Sequence, residues 1–188
     1  PYSIVPSRDE DGHGTMIASI AGGRDNPQAG FYGVATEAEF VIVKLKQAKA
    51  HLRRFLAISS DVACFQENDI MMGVGYLTRV ARELGRPLSI CIALGSAQGA
   101  HDGTSPISDY LAMIADIAGY SVVVSAGNEG NARSHYFGVV GVDREYDTVE
   151  LNVAENEQGF LMEIWADSPN TFGLDILTPT GEFVPRVN

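Results

Sequence analysis

Two regimes of apolar patterning follow one another along the 188-residue chain. Up to about residue 142, short all-apolar runs alternate with segments whose apolar residues recur every three or four positions. Beyond it, apolar and polar residues alternate one by one. In the first regime, Thr15-Met16-Ile17-Ala18-Ser19-Ile20-Ala21 reads as a buried helix of small residues, ending at Gly22-Gly23. Residues 39–45 form a β-branched run that predicts a buried strand. Residues 46–65 show no clear period. Over 67–84, Ile70, Met71, Val74, Leu77, Val80 and Leu84 lie on one helical stripe, and Gly85 with Arg86-Pro87 ends it. Residues 88–94 (LSICIAL) predict a second buried strand. Residues 106–118 predict a helix with Ser105 as N-cap, Pro106 in the first turn and Gly119 after its end. Residues 121–125 predict a third strand.

Strands apolar on both faces and separated by helices indicate an α/β fold, a three-layer parallel sheet with helices on both faces. After residue 142 three strands are expected, over 147–154, 159–166 and 171–178, joined by turns such as Glu155-Asn156-Glu157. Val149, Leu151 and Val153 alternate with Glu150 and Asn152, the pattern of a β-rich antiparallel segment with one wet face. The expected division is 1–142 and 143–188, with the transition across 137–146.

Composition narrows the class. Hydrophobic residues make up 45% and charged residues 20%, which fits a folded core and argues against disorder. The net charge of −11 speaks against a nucleic-acid partner, which would require a basic surface. No apolar run approaches the roughly 18 residues that cross a bilayer, so no membrane partner is expected. The two cysteines, Cys64 and Cys91, sit in apolar stretches and are expected to be ordinary buried thiols. The chain opens at Pro1-Tyr2 and stops at Val187-Asn188, and it is expected to be part of a longer protein.

Two motifs carry candidate chemistry. In Asp11-Gly12-His13-Gly14-Thr15, a histidine stands at a helix start between two glycines. The missing Cβ atoms let another chain or a ligand approach closely, and such a histidine is both held and reachable, as a general base must be. A capping histidine on a surface loop fits the same residues. In Ser125-Ala126-Gly127-Asn128-Glu129-Gly130, a buried strand runs into small residues and then one amide. At the C-terminal edge of a parallel sheet ligands bind, and an asparagine N–H there can donate to a developing oxyanion. A plain Asn-x-Gly turn is the other reading.

Together and in this order, the motifs resemble those of the subtilisin-like serine peptidases, the subtilases of the peptidase S8 family. Those enzymes carry Gly-His-Gly-Thr, and later Ser-Ala-Gly-Asn. Gly33-Val34-Ala35 and the run 40–45 resemble the family's Gly-Val-Ala segment and next strand. Residues 90–96 (ICIALGS) resemble its substrate-pairing edge, with Ala93-Leu94-Gly95 where Ser-Leu-Gly is usual. The departure is mild because such an edge works through main-chain hydrogen bonds. The resemblance covers about 9–135. It implies that His13 is the catalytic general base and Asn128 the oxyanion-hole donor. It further implies that Leu94, Gly95 and Ser96 line one wall of the substrate cleft, and Ser125, Ala126 and Gly127 the other. A peptide or protein substrate is the implied partner, without a cofactor, and an extracellular, cell-envelope or spore-associated location.

The resemblance also has gaps. The family's acidic partner lies on an earlier strand, for which residues 1–12 leave no room, and no Gly-Thr-Ser-Met-Ala follows Asn128. Gly103-Thr104-Ser105-Pro106 precedes Asn128 and lacks the methionine, so Ser105 is read as a helix cap. The four histidines and two cysteines share no metal-ligand spacing, and no metal is expected. The chain by itself is expected to be inactive, and to associate through unpaired sheet edges. The alternating tail resembles the jelly-roll inserted in clostridial germination-associated subtilases. The alternative function is a pseudopeptidase that binds a protein partner without cutting it, and a third is a binding module centred on the β-rich half.

Overall fold

The computed structural model of the chain describes residues 4–156 and 159–187. Its elements run α1 (His13–Gly22), α2 (Ala50–Phe55), α3 (Glu67–Leu84), β1 (Leu88–Ile92), α4 (Pro106–Ala115), β2 (Tyr120–Val124), β3 (Leu174–Leu177) and β4 (Phe183–Val187).

The core is an α/β unit. β1 and β2 pair in parallel, with Leu88 opposite Tyr120, Ile90 opposite Val122 and Ile92 opposite Val124. Side chains alternate across a strand, so these positions share one face. That face meets α3 and α4. Val74, Ile90 and Ile114 are its buried centre, and Leu77, Tyr110 and Leu111 pack around them. Gly75 lets α3 approach α4 closely, since a Cβ there would lie 3.2 Å from the Tyr110 hydroxyl. The buried line of α3 runs Val74, Thr78 and Ala81, and the Thr78 hydroxyl donates to the Val74 carbonyl at 2.9 Å. Leu84, expected on the stripe, is exposed.

Helix ends follow local chemistry. Gly85 closes α3 at φ +63, a left-handed conformation that favours glycine. Ser105 caps α4, its oxygen accepting from the Ser108 N–H at 3.3 Å, with Pro106 at the first position. Helix α4 ends at Ala115, three residues short of the expectation.

Several expectations are corrected. Residues 39–45 form no strand. They run along α3 instead: Val43 lies against Gly73, and Lys46 pairs with Asp69 at 3.1 Å. A strand requires a neighbour for its N–H and C=O groups, and this run makes no sheet ladder. For the same reason 147–154 and the described residues of 159–166 are not strands, although they alternate. Val149, Leu151 and Val153 are exposed. Only the last expected strand forms, as β3, which pairs antiparallel with β4. Glu157 of the expected turn lies outside the described residues. Among the described residues, helices cover one face of the β1–β2 pair only, and Cys91 and Val123 on the other face are exposed. Cys91 is therefore not a buried thiol. No helix among the described residues is long and apolar enough to cross a membrane.

Candidate active site

The strand ends bring the two expected cleft walls together. β1 and β2 leave the sheet side by side at their C-terminal edge. The Ser125 N–H donates to the Ile92 carbonyl at 3.1 Å, which extends the parallel ladder by one step. The Ser125 hydroxyl then donates to the Leu94 carbonyl at 2.9 Å. Beyond this cross-link, a Cβ on Gly95 would stand 3.7 Å from the Gly127 Cα. The two backbone segments thus meet closely, with the Ser125 hydroxyl as their cross-link. Gly127 has φ +85, which allows the chain to turn away from the sheet at that point. Ala126 lies in the same wall, exposed, and Ser96 accepts from the Gln98 N–H at 3.1 Å.

Asn128 follows directly. Its N–H donates to the Glu129 carboxylate at 2.8 Å. The residue is exposed, and its side-chain amide is bonded to no described residue. An amide presented at the C-terminal edge of a parallel sheet, free to donate, suits the stabilisation of an oxyanion.

His13 occupies the first turn of α1. The loop before it is organised by Asp9, whose carboxylate accepts from the Gly12 N–H at 2.8 Å, the Thr15 N–H at 2.7 Å and the Thr15 hydroxyl at 2.7 Å. These bonds, with the Thr15 hydroxyl first, hold the Asp9 carboxyl well below the usual aspartate range. The capping group of α1 is therefore Asp9, and His13 is not needed to cap it. A Cβ on Gly14 would lie 3.6 Å from the Asp9 carboxylate, an ordinary contact distance. From the sequence Asp9 is too near His13 to be the family's acidic partner, and a capping role for it is not among the expectations. The signal was present, an acidic side chain just ahead of a glycine-rich helix start, where backbone N–H groups lack partners.

At its other end α1 is held by main chain. The N–H groups of Gly33, Val34 and Ala35 donate to the carbonyls of Gly23, Ile20 and Ala21 at 2.8, 3.1 and 2.8 Å. A Cβ on Gly22 would lie 2.6 Å from the Ala35 carbonyl oxygen, so the close fit requires a glycine. Among the described residues α1 packs directly on no other helix or strand. The described contacts therefore bring Leu94, Gly95, Ser125 and Gly127 together next to Asn128, and leave His13 on a separate, internally braced helix.

Two loops continue from the walls and meet. The His101 and His135 rings stack with centroids 5.0 Å apart, and His101 Nε2 lies 3.0 Å from the Ala97 carbonyl oxygen. Ser105 is engaged by the helix it caps, with its oxygen 2.8 Å from the Ser108 hydroxyl. Asp102 beside it accepts from the Thr104 hydroxyl and N–H, which holds its carboxyl below the usual range. Among the described residues no group of three or more His, Cys, Asp and Glu is arranged to hold a metal ion. A depression of about 400 Å³ lies elsewhere, lined by Asp143, Arg144, Tyr146 and Asp147 among others. There Tyr136 donates to Asp147 at 2.6 Å, lowering the Asp147 carboxyl and raising the tyrosine. It includes none of the expected cleft residues.

Comparison with known proteins places these features in a family. The subtilase family, peptidase S8, matches residues 3–149, which include both motifs. Among solved structures, the CspB protease of Clostridium perfringens is 32% identical with a TM-score of 0.57. The match covers 70% of this chain and 26% of that one, so the chain spans about a quarter of the protease it resembles.

Proposed function

The chain belongs to the subtilase family, and on that premise we propose that it contributes the histidine and oxyanion half of a serine endopeptidase. The family supplies a serine peptidase scaffold. The observation that carries the reading further is the meeting of Leu94 and Gly95 with Ser125 and Gly127, directly ahead of Asn128. Two backbone segments that meet at a sheet edge suit an extended peptide, which pairs with main chain and presents its scissile carbonyl to the amide that follows.

In this proposal the imidazole of His13 takes the proton of a serine hydroxyl as the oxygen attacks the carbonyl carbon. The carbonyl π electrons move to oxygen, and the Asn128 side-chain N–H stabilises the resulting oxyanion. Collapse of the tetrahedral species expels the amine, which receives the proton from His13, and leaves an acyl-enzyme that water hydrolyses. Leu94, Gly95 and Ser96 pair with the substrate backbone, and Ser125, Ala126 and Gly127 bound the side chain preceding the scissile bond. The serine and the acidic partner of His13 come from chain outside residues 1–188, and the segment alone is inactive. Outside chain also completes the sheet and its second helical layer, over the exposed face that carries Cys91 and Val123. Residues 143–188 begin an inserted β-sandwich. Export to the cell envelope or beyond suits such a peptidase.

Fluorophosphonate labelling of the full-length protein tests the assignment. A label on a serine outside this segment, lost in His13→Ala and retained in Ser105→Ala, is the expected result. A folded protein that takes no label would favour a scaffold that binds a partner without cutting.

A further inference from the structure

We propose that Glu163 and Trp165 form an outer subsite of the peptide cleft that takes a basic side chain, arginine or lysine, of the extended substrate. The inference rests on the peptidase reading above and adds a specificity element to it. Gly99 lies three residues beyond Ser96, in the loop that continues the cleft wall. Its N–H donates to Glu163 Oε2 at 2.7 Å, across 64 positions of sequence. The same oxygen accepts from the Trp165 indole N–H at 3.2 Å. One carboxylate atom therefore ties an indole ring to the rim of the cleft.

This arrangement leaves the ring available. Trp165 is 60% exposed, and its only polar hydrogen is already bonded, so it offers its π surface. The second Glu163 oxygen takes no hydrogen bond among the described residues. A guanidinium or ammonium over an indole face is attracted by the ring quadrupole. The apolar stem of an arginine or lysine covers the ring while the charge stays wet. The free carboxylate oxygen beside it supplies a charge-assisted partner. In the same loop, Asp102 is held ionised by Thr104, and the net charge of −11 attracts basic peptides at longer range. An extended peptide advances about 3.3 Å per residue. Gly99 is three residues from Ser96, at most about 10 Å of extended chain, so a peptide paired along Leu94–Ser96 would bring a side chain within reach of it a few positions from the scissile bond.

The test is steady-state cleavage by the full-length protein of a peptide set in which single positions flanking the scissile bond are Arg, Lys, Gln or Leu. Wild type is expected to prefer Arg or Lys at one outer position. Trp165→Ala and Glu163→Gln are expected to raise KM for those peptides about three- to tenfold, with a smaller effect on the neutral peptides. Glu163→Gln keeps an acceptor for Gly99, so a loss seen there reports the charge and not the loop. A cleaving wild type with no basic preference at any outer position, or variants that slow all peptides equally, would overturn this subsite alone. A folded wild type that neither cleaves nor takes a fluorophosphonate label would overturn the peptidase reading and the subsite with it.

Discussion

Replacing Ile90 by alanine tests whether the cleft walls stand on the core described above. Ile90 is 2% exposed, the most buried large side chain among the described residues, with Val74 of α3 and Ile114 of α4 in the same cluster. The substitution deletes about three buried carbons, which is about 2.4 kcal/mol at about 0.8 kcal/mol each. The cavity left behind adds to this, because neighbours anchored on two helices close it only in part, so about 3–4 kcal/mol is expected. Met113→Ala, on the same helix as Ile114 but 70% exposed, serves as control and should stay within about 0.5 kcal/mol. The assay is urea unfolding of the full-length protein, followed by far-ultraviolet circular dichroism, with the slope compared between variants. A lower midpoint at unchanged slope gives the loss directly. Ile90→Ala below about 1 kcal/mol, or equal to the control, would refute the packing of α3 and α4 on β1 and β2.

Gly127→Ala should lower kcat/KM at least about tenfold, because φ is +85 and a Cβ would stand 2.6 Å from the Glu129 carboxylate. Gly95→Ala, whose Cβ would meet Gly127 Cα and the Ser125 oxygen at 3.7 and 3.9 Å, should fold normally, as melting temperatures will show. Ser105→Ala should cost about 1 kcal/mol in urea unfolding through loss of the cap on α4, with fluorophosphonate labelling intact. The Asp9 carboxyl is lowered in the folded state from the ordinary aspartate value of 3.8. Its clamp therefore contributes above that value and is lost as pH falls below it toward the folded one. Wild type should be more stable than Asp9→Asn near neutral pH, and the difference should shrink on acidification below about pH 4, as thermal melts across pH will show.

Local signals determined much of this protein. The three-to-four spacing of 67–84 with Gly85 behind it, and the Ser105-Pro106 start of α4, each act within a few residues of chain, and both helices start where the pattern places them. The runs that became β1 and β2 are apolar on both faces, and such runs pair in parallel under helices. The two motifs that carry the family resemblance, a helix-start histidine and a strand-end amide, are local arrangements too, and the family match over residues 3–149 includes both. Tertiary structure decided what depends on a partner distant in sequence. Residues 39–45 and 147–154 have strand composition, yet a strand exists only where another chain accepts its hydrogen bonds, and α3 and solvent border them instead. The union of Leu94 with Ser125, and of Gly99 with Glu163, joins residues 31 and 64 positions apart. No periodicity reports such pairs, because periodicity records which face a residue shows and not what comes to meet it.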